Sequence, residues 1–172
     1  PPRETGYDFF EGNDVFAVLL GAHGGNGIWS RSGINMGEGD DTLAMDINGA
    51  TFAGIDGWHA GAWFEGGGGN DDFLIDIDAG NGANMTGQGL VMGDGDDEIV
   101  VTLDVENVGS GSFGYGNFVH LGAGDDSYSY SQNVPDGSGS NHFSGYFDGA
   151  DHLRGSARCP LGRGRGCGPD GN

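Results

Sequence analysis

A short block, Gly-(Asp/Asn/Ala)-Asp-x-apolar, recurs six times along the chain: "GNDVF" at 12–16, "GDDTL" at 39–43, "GNDDF" at 69–73, "GDDEI" at 95–99, "GDDSY" at 124–128 and "GADHL" at 149–153. Its last aspartates are Asp14, Asp41, Asp71, Asp97, Asp126 and Asp151, spaced by 27, 30, 26, 29 and 25 residues. A period of that length, broken only by small insertions, predicts a stacked solenoid in which each repeat buries its apolar face against its neighbours.

The residues after each aspartate predict the local structure. Two positions on stand Phe16, Leu43, Phe73, Ile99, Tyr128 and Leu153, and four positions on stand Val18, Met45, Ile75, Val101, Tyr130 and Gly155. Apolar residues at every second position make a β-strand with one buried face. Leu19, Asp46, Asp76, Thr102 and Ser131 then share one outward column. Asn26-Gly27, Asn48-Gly49, Asn81-Gly82 and Asp136-Gly137 read as the turns that follow. Return segments such as "GAWFEGG" and "GLVMGDG" lead back to the acidic block, with a short third strand expected near "GIWSRS", "GIDGWHAG" and "SFGYG". Glycine arrives too often for helical periodicity to survive. The expected fold is all-β, a parallel β-helix or β-solenoid of about five coils over residues 1–157, followed by a Gly/Arg/Cys tail over 158–172.

Charge narrows the partners. The 172 residues hold 26 acidic side chains against six arginines and no lysine, a formal charge of −20. No basic footprint is available to neutralise phosphates, so nucleic acid and anionic membrane surfaces are unfavourable partners. No run of about 18 apolar residues offers a membrane span. The opening "PPRETGYDFF" carries no signal-peptide pattern.

In a parallel stack, equivalent turns repeat at about 4.8 Å. At that distance like charges repel by roughly 3 kcal/mol per pair, even at an effective dielectric of about 20. An aspartate column therefore calls for counter-charge. Calcium suits it: a hard dication that takes six to eight oxygens from carboxylates and backbone carbonyls. The same turns also admit a plainer reading, as Asx-type turns chosen for backbone geometry with their charge solvated. Asn13 and Asn70, which replace aspartate in two blocks, agree with it.

"MGEGDDTLA" (36–44), "GGGGNDDF" (66–73), "MGDGDDEIV" (92–100) and "LGAGDDSYS" (121–129) resemble the calcium-binding nonapeptide of RTX proteins, Gly-Gly-x-Gly-x-Asp-x-apolar-x. The glycine two before the final aspartate is kept in all six blocks, whereas the first glycine of the family's pair survives only at 66–73. Family repeats run in tandem every nine residues; here one turn occurs per coil, and the opposite corner is expected not to bind calcium. The resemblance implies a calcium-binding, extracellular or cell-surface solenoid. It implies ligand roles for Asp14, Asp41, Asp71, Asp97, Asp126 and Asp151, with Asp40, Asn70, Asp96 and Asp125 contributing mainly through backbone carbonyls. Asp94 belongs to the same acidic rung as Asp96 and Asp97.

The expected role is structural or adhesive rather than enzymatic, with a filament neighbour or other homo-oligomer as partner. The alternative is a carbohydrate-active β-helix: a polysaccharide lyase, hydrolase or epimerase using outward carboxylates such as Asp46 and Asp76, with Asp72, Asp78, Glu98 and Asp104 nearby. Against a lyase on uronates stands the lack of basic residues, Arg31 being alone in the central coils. The five histidines show no metal-ligand spacing. Trp29, Trp58 and Trp63 are core candidates, though a tryptophan beside a glycine also suits a sugar ring, which makes a glycan a further possible partner. The tail carries Cys159 and Cys167, read either as a small disulfide loop or as free thiols.

Overall fold

The computed structural model describes residues 7–22, 26–30, 33–49, 52–56, 62–86, 88–107, 110–113, 118–133, 142–143 and 146–148. The block at 149–153, with Asp151, the turn at Asp136-Gly137 and the whole tail lie outside them. In chain order the strands are β1 (Tyr7–Asp8), β2 (Val15–Ala22), β3 (Asn26–Ser30), β4 (Ile34–Glu38), β5 (Thr42–Gly49), β6 (Phe52–Asp56), β7 (Ala62–Gly68) and β8 (Asp72–Ala79). There follow β9 (Gly82–Thr86), β10 (Gln88–Asp94), β11 (Glu98–Val105), β12 (Ser110–Phe113), β13 (Phe118–Ala123), β14 (Ser127–Asn133), β15 (His142–Phe143) and β16 (Tyr146–Asp148).

Every third strand joins the same sheet. One sheet has the order β1-β4-β7-β10-β13-β16, a second β14-β11-β8-β5-β2, and a third β15-β12-β9-β6-β3, all paired in parallel. The molecule is a three-sided parallel β-solenoid. The expected third strand is thus a regular side of the coil, and it appears also at 82–86, where no alternation marks it. The Asn-Gly turns are only partly where they were expected. Asn48-Gly49 ends β5, while Asn26-Gly27 begins β3 and pairs with Phe52 and Ala53. The two dipeptides therefore occupy different columns.

The strand leaving the acidic block keeps the register that alternation predicts. Leu43 pairs with Phe73, Phe73 with Ile99 and Ile99 with Tyr128, while Leu19, Asp46, Asp76, Thr102 and Ser131 form one outward column. Inside, Leu43, Phe73, Ile99, Met45, Ile75, Val101, Ile47, Ile77 and Leu103 are buried against Ile34, Phe64, Leu90 and Val119 of the return sheet. Small residues, Ala53 and Ala83, complete the core on the third side. Each buried aliphatic side chain contributes roughly 1.5–3 kcal/mol. Shortening one, as in Ile75→Val, is expected to cost about 1 kcal/mol in urea unfolding, since the stacked columns leave little room to relax. At the first coil Phe16, Val18 and Leu20 are only partly buried, although their counterparts Leu43, Met45 and Ile47 are sealed.

Candidate functional site

The acidic corner joins the return sheet to the sheet that follows the block, and glycine explains how the chain turns there. Gly37, Gly67, Gly93 and Gly122 stack in one column, Gly12, Gly39, Gly69, Gly95 and Gly124 in another, and all have positive φ. A Cβ on Gly93 would lie 1.8 Å from the carbonyl oxygen of Gly67, and one on Gly95 1.8 Å from that of Gly69. Each turn's carbonyls thus point along the stack onto the bare Cα of the next. The glycine four before the final aspartate is the second of the pair in the resembled nonapeptide, and it stands in four blocks, the first having Phe10 there.

Two hydrogen-bond ladders run along the corner. In the inner one the carboxylate Oδ1 of Asp41 accepts from the backbone N–H of Asp14 at 2.7 Å, Asp71 from Asp41 at 2.9 Å, Asp97 from Asp71 at 2.8 Å and Asp126 from Asp97 at 3.1 Å. In the outer one Asn13 Oδ1 accepts from Asp40 N–H at 3.1 Å. Asp40, Asn70 and Asp96 likewise accept from Asn70, Asp96 and Asp125, each at 2.9 Å. Inner side chains reach back to the preceding coil; outer ones reach forward. In this ladder Asn13, Asp40, Asn70 and Asp96 therefore act through their side-chain oxygens. Because a neutral amide oxygen accepts equally well, asparagine serves at 13 and 70.

The inner aspartates differ in burial. Asp41, Asp71, Asp97 and Asp126 are 1–3% exposed, and the second oxygen, Oδ2, of each is buried with no hydrogen-bond partner. Asp71 shows what that oxygen faces. A Cβ added to Gly66 would lie 2.5 Å from Asp71 Oδ2 and 2.7 Å from the carbonyl oxygen of Met92. Two acceptors thus converge on one small space without a donor between them. Burial, reinforced by the charges of Asp97, Asp41 and Asp40, raises the Asp71 carboxyl from 3.8 to about 7 against the opposing N–H of Asp41. Burial, reinforced by Asp126, Asp96 and Asp72, raises Asp97 to about 6 against the N–H of Asp71. A proton or a cation relieves such an oxygen; a bare buried carboxylate is costly.

Asp94 stands apart. It lies at an exposed strand end in register with Gly68 and Ala123, so its carboxylate enters neither ladder, and only its backbone carbonyl takes part, accepting from Gly69 N–H at 2.8 Å. Asp14 is only partly buried in the first coil. Among the described residues no three His, Cys, Asp or Glu side chains gather round one point. All six arginines lie outside the described residues.

The outward carboxylates lie on the sheet that leaves the corner. Asp46 is in register with Asp76, Asp78 with Asp104, and Asp72 with Glu98. Partial burial, then the charges of Asp104 and Asp46, raise the Asp76 carboxyl; partial burial, then Asp76 and its acidic neighbours, raise Asp78. Asn48 Nδ2 donates to Asp46 Oδ1. Asp46 and Asp76 border a shallow groove lined also by Leu19, Ala44 and Leu74. Scans against protein-family models, curated proteins and solved structures found no match to this chain.

Proposed function

We propose that this protein is a calcium-binding structural solenoid of the extracellular space or cell surface, whose coils are locked by cations along the acidic corner. The observation that carries the reading is the row of buried, unpartnered Oδ2 atoms on Asp41, Asp71, Asp97 and Asp126. Oxygen donors of this kind, carboxylate beside carbonyl, suit a hard dication. Asp41, Asp71, Asp97 and Asp126 would hold the ion through Oδ2, joined at the Asp71 rung by the Met92 carbonyl. The bound ion would supply the positive charge that the described residues lack, and binding would then couple to folding. Weak sites of this type fill at the ~10⁻⁴–10⁻³ M calcium typical of extracellular modules. The half-covered Phe16, Val18 and Leu20 of the first coil support stacking against a neighbour, either more chain or a second copy.

The test follows folding and bound metal together. Circular dichroism at pH 7.5 is expected to lose part of its β-signal after calcium removal and to regain it on titration with calcium, with bound ions counted by equilibrium dialysis. Asp71→Asn keeps the acceptor for the Asp41 N–H but removes the charge. Its calcium midpoint should rise at least tenfold, while in metal-free buffer it should melt higher than the parent. A β-spectrum and melting temperature indifferent to calcium in both proteins would refute the proposal.

A further inference from the structure

The outer face of the return sheet carries a feature that the acidic corner does not explain. Trp63 is 47% exposed, and its indole lies across the backbone of the next strand, where a Cβ on Gly89 would meet ring carbons Cε3 and Cζ3 at 1.7 Å. Beyond Gly89 the ring meets Phe118 edge-on, with centroids 6.3 Å apart and planes at 60°. Phe118 in turn stacks on His120 at 6.1 Å and 13°. On the other side of Trp63 comes Gly33, so the aromatic row has a flat, unfilled edge. One step along the strands runs a parallel row with polar members, in which Asn35 pairs with Glu65, Glu65 with Val91 and Val91 with His120.

The geometry points to a binding platform for a neutral polysaccharide, with Trp63 stacking on the C–H face of one sugar ring and Phe118, tilted 60° from it, contacting a neighbouring ring while Glu65 and Asn35 take hydroxyl groups. The two ring centroids are 6.3 Å apart, close enough for adjoining sugars of one chain to touch both. The indole offers a broad apolar face, and a carboxylate and an amide are the groups that hydrogen-bond hydroxyls. The formal charge of −20 sets the sign of the ligand, since uronates, sulfated glycans and nucleic acids would all be repelled. Glycine at 89 lets the indole lie against the sheet, and glycine at 33 places no side chain on its other flank.

The inference is independent of calcium at the corner, and its test is run on calcium-treated protein whose fold is checked by circular dichroism. Native gels cast with soluble glucomannan, xyloglucan or laminarin should retard the parent. Trp63→Ala should weaken the retardation at least tenfold, Trp63→Phe should restore part of it, and Glu65→Gln should weaken it less than Trp63→Ala. Polygalacturonate should give no retardation. Equal mobility of parent and Trp63→Ala in every neutral gel overturns the proposal. So does a drop in oligomer mass on sedimentation of Trp63→Ala without any glycan effect, which would assign the face to a second copy.

Discussion

Stripped of divalent ions, the protein should become more stable as the pH falls from about 7 toward 4, the reverse of most acidic proteins. Asp71 and Asp97 have folded-state values near 7 and 6, both raised above the ordinary 3.8. Between those limits the folded chain binds more protons than the unfolded one, so its stability falls as pH rises. The contribution is fully present below about pH 4 and is lost as pH climbs through the raised values. For Asp71 a shift of about three units corresponds to about 4 kcal/mol, and Asp97 adds a smaller amount of the same sign. Saturating calcium should invert the slope, because protons and the ion compete for the same oxygens. Urea midpoints at pH 4.5, 6 and 7.5, in buffers passed over chelating resin and then with calcium restored, measure both slopes. A metal-free midpoint that rises with pH would refute the assignment of the shifts to the inner column.

Gly93→Ala should abolish the fold even with calcium present. The residue has φ of 116°, a region in which an L side chain is strained by roughly 1–2 kcal/mol. Its Cβ would also lie 1.8 Å from the Gly67 carbonyl oxygen, an atom fixed by the backbone of the coil below. No rotamer change relieves a clash between backbones, so the coils must separate at the corner. Gly21→Ala is the control, since a Cβ there meets nothing within 4 Å and its φ is ordinary. Soluble yield and circular dichroism should separate the two variants; a native-like spectrum for Gly93→Ala would show that glycine is not needed for close stacking.

The sequence announced the strand after each acidic block because two independent signals agree there. Phe16, Leu43, Phe73, Ile99 and Tyr128 alternate with polar residues, and the aspartate before them fixes the count, so one register satisfies both. The third side was harder to read. Strands such as β9, "GANMT", are short and contain glycine, which leaves no alternation to follow. Asn-Gly misled for a related reason: the dipeptide is a turn signal in hairpins, whereas a wide solenoid corner accepts it at a strand's end or beginning. At the acidic corner the column itself was readable from spacing. What spacing cannot carry is rotamer. Whether Asp71 turns its oxygen back to Asp41 or forward to Asp97 depends on the side-chain torsion, whereas the exclusion of Asp94 from both ladders follows from its register with Gly68 and Ala123.

The opposed sense of the two ladders has a consequence for symmetry. Cut the stack between any two coils and one new face bears an inner carboxylate acceptor and an outer N–H donor, while the other bears an inner N–H and an outer side-chain acceptor. Each face matches the other, inner group to inner and outer to outer. A contact that continues both ladders in this way is heterologous, head to tail.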